Sequence, residues 1–338
     1  MSRIVVYDEN NFPVGEFTGI VSNLGWSIGL LGGSATVSIP DTAIKDYIQF
    51  GRIVTIETPN LPAWAGVLDT PWVATSPVQL TMYNIEYLLN TRVFDEKPYT
   101  LKAEEPAEAI SELITLANKR GNLYVKIGDK SILGKKIAWA LDARTYLDQI
   151  KQISTNAGME LLVRTEKDVN NQLWVYVDAV KSTGETSNLF LHDGLNANIE
   201  LKDAKVDGEI FNYIVCRNDS STTQAVILSD PAQDAASIDM YGLRNAIITS
   251  NTSIKTALNA AAIVYLSNNK NPKLILTVSV MNIGDAFNYL RLGNTFDIHL
   301  ANVRLPGAVN GWHGTGRIKA MEYNESSNQV DLSIEAQL

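Results

Sequence analysis

A short β-module written twice is the feature that most constrains what this chain folds into. The first copy opens with the alternating run Thr36-Val37-Ser38-Ile39. A turn at Pro40 and an amphipathic piece, Thr42 to Phe50, follow and stop at Gly51. Then come a strand at Arg52 to Glu57, a second around Trp64-Ala65-Gly66-Val67-Leu68, and a third at Val78 to Met82. The second copy keeps the order: Thr277 to Val280, the amphipathic piece Ala286 to Leu292, Gly293, then Asn294 to His299, Gly314 to Ile318 and Val330 to Ile334. Only its middle loop, Leu300 to His313, is clearly longer. Alternation with period two is the pattern of strands buried on one face. Two small β-modules of one design are therefore expected.

At 338 residues the chain exceeds the roughly 250–300 that one core can serve, so other units must accompany the modules. From about residue 95 the apolar period changes. Glu104, Glu105 and Pro106 suit a helix start, since acids favour its positive end and proline its first turn. Ile110, Leu113, Ile114 and Ala117 give one face, and Lys119, Arg120 and Gly121 a stop. A second helix is expected with Asp142 as N-cap, Tyr146, Leu147, Ile150 and Ile153 as its apolar side, and Gly158 beyond its end. Glu160 to Arg164 and Leu173 to Val177 read as a hairpin around Asp168. A strand pair is expected around 197–218. A polar loop from Ser221 to Ala236 carries a short strand at Ala225 to Leu228, and a helix follows from Ser253 to Ser267. The expected fold class is α+β and β-rich: two tube-like β-barrel domains, an α+β insert and a smaller second insertion. The boundaries are 1–94 for the first tube-like domain, 95–190 for the insert, 191–230 with 275–338 for the second tube-like domain, and 231–274 for the small excursion.

The chemistry visible in the sequence is sparse. A net charge of −9 argues against a nucleic-acid clamp, which needs clustered cations to neutralise phosphates. Cys216 is the single cysteine; it can form no intrachain disulfide and belongs to no metal-binding cluster. No signal peptide and no transmembrane-length apolar run are expected, which points to folding in a cytoplasm. His192, His299 and His313 stand far apart and lack metal-ligand spacing. His299 alternates with Ile298 and Leu300 and should face solvent or an interface, while His313, in Gly311-Trp312-His313-Gly314, reads as a turn or contact loop. Gly314-x-Gly316 precedes a strand, so it fits neither phosphate-binding fingerprint. No carboxylate pair is singled out for hydrolysis. Trp64 reads as a strand-core residue, and Trp72 and Trp312 as loop residues that pack against a partner or, alternatively, stack on a sugar. No catalytic, cofactor or metal residue is assigned.

With chemistry absent, architecture carries the reading. Gly51-x-x-Val54-x-Ile56, Trp64-x-Gly66-Val67-Leu68 and Tyr87-Leu88-Leu89-x-x-Arg92 are similar to the N-terminal signature of baseplate or tail-tip hub proteins of long-tailed bacteriophages, which are related to the hubs of contractile injection systems. Asn212-Tyr213-Ile214-Val215, Tyr241-Gly242 and Leu292-Gly293-Asn294-x-Phe296-x-Ile298 continue the ordered series. Gly51, Trp64, Gly66, Leu88, Leu89, Arg92, Asn212 and Gly293 are thus family-like structural positions. The resemblance implies a non-enzymatic virion structural protein without cofactor, assembled in the host cytoplasm. It implies a homotrimer whose six β-domains imitate a sixfold ring. Its partners would be the tail tube or distal tail protein ring, a spike or fibre protein and the tape-measure protein. DNA would pass through the channel without specific binding. A contractile injection hub, a wall-degrading hydrolase and a carbohydrate-binding tail protein are the alternatives.

Overall fold

The computed structural model describes all residues except 31, 40–45, 70–77, 95–98, 120, 135, 142, 196, 208, 219–225, 282–287, 302–310 and 338. Pro40, Thr42, Trp72, Asp142, Ala225 and Ala286, each invoked by the sequence reading, therefore lie outside the described residues.

The first module contains β1 (Ser2–Tyr7), β2 (Pro13–Ser22), β3 (Leu24–Ser27), β4 (Ser34–Ile39), β5 (Ile53–Glu57), β6 (Trp64–Leu68) and β7 (Val78–Asn84). Six of them close an antiparallel barrel in the order β1-β2-β4-β7-β6-β5. β4 and β7 alternate because only one face is buried. β1 and β6 are apolar at consecutive positions because both of their faces are covered. Ile4, Val6, Trp64 and Leu68 fill the barrel, while Val5, Tyr7, Ala65 and Val67 join the core of the neighbouring insert.

That insert comprises α1 (Tyr87–Asn90), β8 (Tyr99–Glu104), α2 (Pro106–Lys119), β9 (Val125–Lys130), β10 (Ile137–Leu141), α3 (Tyr146–Ala157), β11 (Glu160–Lys167) and β12 (Leu173–Val180). Pro106 opens α2, and Ile110, Leu113, Ile114 and Ala117 are all buried, as their spacing predicts. α3 starts later than Asp142 would allow a cap to act. Its cap is Thr145, whose Oγ1 accepts from the Asp148 amide at 3.1 Å. Gly158 ends the helix with φ 71°. The β11–β12 hairpin turns on Asp168, whose carboxylate accepts from the Asn170 and Gln172 amides at 2.8 and 3.0 Å.

The rest of the chain forms β13 (Thr186–His192), β14 (Asn198–Asp207), β15 (Tyr213–Asn218), β16 (Ala232–Gln233), α4 (Ala235–Tyr241), β17 (Asn245–Ser250), α5 (Lys255–Asn269), β18 (Lys273–Met281), β19 (Thr295–Leu300), β20 (Trp312–Asn324) and β21 (Gln329–Gln337). The strand pair expected around 197–218 is not made. β14 pairs with β18, and β15 is instead the centre of a small sheet, β16-β15-β17, under α5. Leu228 contributes only an isolated bridge to Arg217.

The second module is a sheet ordered β13-β19-β20-β21-β18-β14, with β3 of the first module added beside β20. Matching β4, β5, β6 and β7 to β18, β19, β20 and β21 makes the two neighbour orders identical, with β1 and β2 in the places of β13 and β14. One strand differs. β1 runs antiparallel to β5, whereas β13 runs parallel to β19. Following the ladder round, β13 and β14 point the same way and cannot pair as a hairpin. One closed barrel and one open sheet are therefore found where the sequence predicts two barrels.

Candidate functional site

The repeat survives at atomic detail. Gly51 and Gly293 both precede the second strand of their copy, β5 and β19, with φ of 78° and 81°. In the first copy the Gly51 amide donates to the Leu68 carbonyl (2.8 Å), and the Leu68 amide to that of Arg52 (2.9 Å). In the second, Gly293 donates to Ile318 (2.8 Å), and Ile318 to Asn294 (3.0 Å). Gly66 pairs with Val54, and Gly316 with Phe296, three residues after the respective turn glycine. A Cβ at Gly66 would strike the Trp64 ring and the Tyr83 carbonyl, and one at Gly316 the Ile334 side chain. The sequence carries a sharper form of this signal. Tyr47-Ile48-Gln49-Phe50-Gly51 matches Tyr289-Leu290-Arg291-Leu292-Gly293, and Ile48 and Leu290 are buried in the same core.

Three joints lock the modules and the insert together. β3 extends the second sheet by pairing Leu24–Ser27 with residues 320–323, and the Trp64 indole of the barrel donates to the Gly25 carbonyl at 3.0 Å. Glu325, on the β20–β21 turn, accepts from the Ser2 hydroxyl (3.2 Å) and the Val21 amide (3.0 Å). The third joint is a fork. Arg317 of β20 grips Glu160 of β11 through Nη1 and Nη2 at 2.5 and 2.7 Å, and also donates to the Thr183 and Gly293 carbonyls. Burial alone would push the Glu160 carboxyl up. The Arg317 guanidinium, the Thr183 amide and Lys319 outweigh it and hold the carboxyl below its ordinary range.

The other positions that the resemblance singles out lie in the barrel, at and just after α1, and in the small unit. Trp64 is buried in the barrel, as its strand position predicts. Leu88 is half-buried and Leu89 fully buried on α1. The Arg92 Nε is buried without a partner among the described residues. Asn212 is fully buried and ties the small unit together. Its amide nitrogen donates to the Ser237 hydroxyl (3.3 Å) and the Gly242 carbonyl (2.8 Å), and its oxygen accepts from the Arg244 amide (2.7 Å). Asn212→Ala is expected to cost about 2–4 kcal/mol by leaving these groups unpaired. Faster hydrogen exchange in β15 and α5 than in the barrel would locate the loss.

Among the described residues, no reactive group assembles at these joints. The Cys216 thiol is buried and pushed up to about 11 by desolvation. It is expected to stay inert to a thiol reagent in the native protein and to react on unfolding; rapid native labelling would contradict its placement. Among the described residues, the carboxyl groups shifted from their ordinary values, Glu9, Glu160, Asp168, Asp230 and Asp234, are all shifted down. A hydrolase general acid needs the opposite. Trp312 is buried over Gly314 rather than presented on a loop, which removes it from any sugar-stacking platform.

The histidines overturn one expectation. They are distant in sequence, but the register sets His192 beside His299 and His299 beside His313. The ring centroids are 4.2 and 6.3 Å apart. His313 lies within β20, not at a hairpin tip, and is exposed; His299 is half-buried on the outer face. Separation along the chain hid a row that only cross-strand pairing creates.

No protein-family model and no curated protein sequence matches this chain. Solved structures do. The 43 kDa tail protein of prophage MuSo2 from Shewanella oneidensis superposes with a TM-score of 0.60 at 11% identity, over 98% of this chain and 97% of that one. A tail protein from Neisseria meningitidis gives 0.59 at 11%, covering 99% and 95%. The prophage tail protein gp18 from Listeria monocytogenes gives 0.57 at 13%, covering 98% and 94%. A type VI secretion system component from E. coli gives 0.51 at 10%, covering 94% and 73%. From end to end, the fold of this chain is that of phage tail proteins, in agreement with its sequence resemblance to baseplate hubs.

Proposed function

We propose that this chain is a structural hub of a phage tail baseplate or tail tip. Three copies would form a pseudo-sixfold ring joining the tail tube to a central spike or fibre. The observation that carries this reading is the duplicated neighbour order of the two β-modules. A chain holding two copies of one module can offer six similar units from three subunits, through heterologous contacts that close a ring. In this reading the tube-like domains are 1–94 and the sheet of β13, β14 and β18 to β21, while the insert up to β12 and the small unit from β15 to α5 decorate the outside. β15 thus belongs to the small unit and not, as the boundary at 230 had it, to the second tube-like domain. Tape measure and DNA would pass through the channel, and the negative net charge suits a lining to which DNA does not stick. The protein would act as a non-enzymatic part of the virion, assembled in the host cytoplasm. Likeness to the type VI secretion component supports a second reading, the hub of a bacterial contractile injection system. Both readings predict a particle of about three times the 37.1 kDa chain mass in light scattering. A concentration-independent monomer, also in the presence of the tail-tube ring protein, contradicts them.

A further inference from the structure

We propose that the cleft between α3 of the insert and α5 of the small unit is a binding site for a small carboxylate that carries one aromatic or branched apolar group. The cavity there measures about 280 Å3. Its apolar walls include Trp139 of β10, Ile153 and Ala157 of α3, and Ala257, Ala260 and Ala261 of α5. The two helices cannot simply close over it. Gly158 already meets Val264, where an added Cβ would lie 2.9 Å from a Val264 methyl, and the Asn156 Nδ2 donates to the Ser250 hydroxyl at 3.1 Å. These contacts fix the spacing, and the alanines of α5 are too short to fill what is left. An apolar space of this kind costs stability until something occupies it, and one of about 150 Å3 already takes a benzene ring. A larger space suits a ring with a short side chain.

The polar groups around this space are donors in want of an acceptor. Trp139 is only 2% exposed, and its Nε1 has no acceptor among the described residues. Buried donors are rarely left so, and a small swing of the ring into the open space presents this one to a ligand. Exposed Lys136 lines the same cavity without an ion pair among the described residues. Thr256, in the first turn of α5, lines it too, and α5 has no side-chain cap. The Lys255 and Thr256 amides donate to nothing among the described residues, and the positive end of the helix favours a negative charge. A carboxylate at this end supplies oxygens to these donors while its apolar part lies against Ile153 and Ala261. A purely apolar ligand leaves the donors unpaired, and an inorganic anion leaves the alanine wall bare. The site lies in the insert and the small unit, apart from the two repeated β-modules, and does not depend on the ring.

The test is titration of the isotope-labelled protein with sodium phenylacetate, read from the NMR signals of the tryptophan indole N–H groups, with the Trp139 signal assigned through Trp139→Phe. A saturable downfield shift of that signal is expected, with a Kd of about 1 mM or tighter. Phenylacetamide, which lacks the charge, should bind about threefold more weakly or worse, and Lys136→Gln should weaken phenylacetate by about threefold. Ala260→Leu should fill the cavity and abolish the shift while leaving the melting temperature unchanged or higher. A peptide ending in a free phenylalanine carboxylate separates the sources of the ligand. Tighter binding than phenylacetate assigns the site to the chain end of a partner, and weaker binding assigns it to a free acid. No saturable shift, equal affinity for the amide, or phenylacetate affinity unchanged in folded Ala260→Leu overturns the proposal.

Discussion

Gly293→Ala is expected to destabilise the protein far more than Gly51→Ala, although both glycines hold the same turn of the repeated module. Each has a left-handed φ, 81° and 78°, which costs a non-glycine residue about 1–2 kcal/mol. The surroundings differ. A Cβ on Gly51 meets nothing within 4 Å, whereas one on Gly293 lies 2.5 Å from the Thr183 carbonyl oxygen. Gly184 presses on the same spot from the other side, its own Cβ position 2.0 Å from the Gly293 carbonyl carbon. Backbone meets backbone there, so relief requires moving the crossing of the 183–185 segment over β19. Overpacking of that kind adds about 1–3 kcal/mol. Urea unfolding should therefore give a loss of about 1 kcal/mol for Gly51→Ala and about 3 kcal/mol or more for Gly293→Ala. Equal losses would mean that the close approach is not a fixed part of the fold.

Breaking the Glu160–Arg317 fork has the next largest expected effect. Both side chains are mostly buried, at 16% and 22% exposure, and the fork connects the insert to the second module. Removing one partner strands the other, which costs about 3 kcal/mol. Glu160→Ala and Arg317→Ala should each lose about that much, and the double variant should lose much less than the sum, because the second removal relieves the stranded charge. The fork also sets a pH dependence. Folding holds the Glu160 carboxyl below its ordinary value. Its stabilisation is therefore complete above about pH 4.3 and is lost as pH falls through the lower folded value. Stability profiles of wild type and Glu160→Gln should converge in acid. Parallel profiles down to the acid limit would assign the stability to some other group.

Much of this was legible in the residues, and the failures share one cause. The turn glycines, the alternation of β4 and β7, and the apolar face of α2 are local, and they folded as written. The consecutive apolar residues of β1 and β6 depart from that alternation because each strand is covered on both sides. What the sequence could not convey is which strand lies beside which. The reversed direction of β13, the loan of β3 to the second sheet and the separation of β14 from β15 are choices of long-range pairing. The histidine row belongs to the same class, since residues 192, 299 and 313 meet only through the register of three strands. Even the cap of α3 follows this logic in miniature: an acid at 142 and a threonine at 145 are both good caps, and Thr145 holds the place.

The central claim is that the two modules of one chain are equivalent units of a ring, and images of the assembled particle test it most directly. Purified protein, alone or with the tail-tube ring protein, should give electron-microscopy class averages with six similar lobes around a central hole and true threefold symmetry. Particles with three lobes, with no hole, or with the second module lying outside the ring would contradict it.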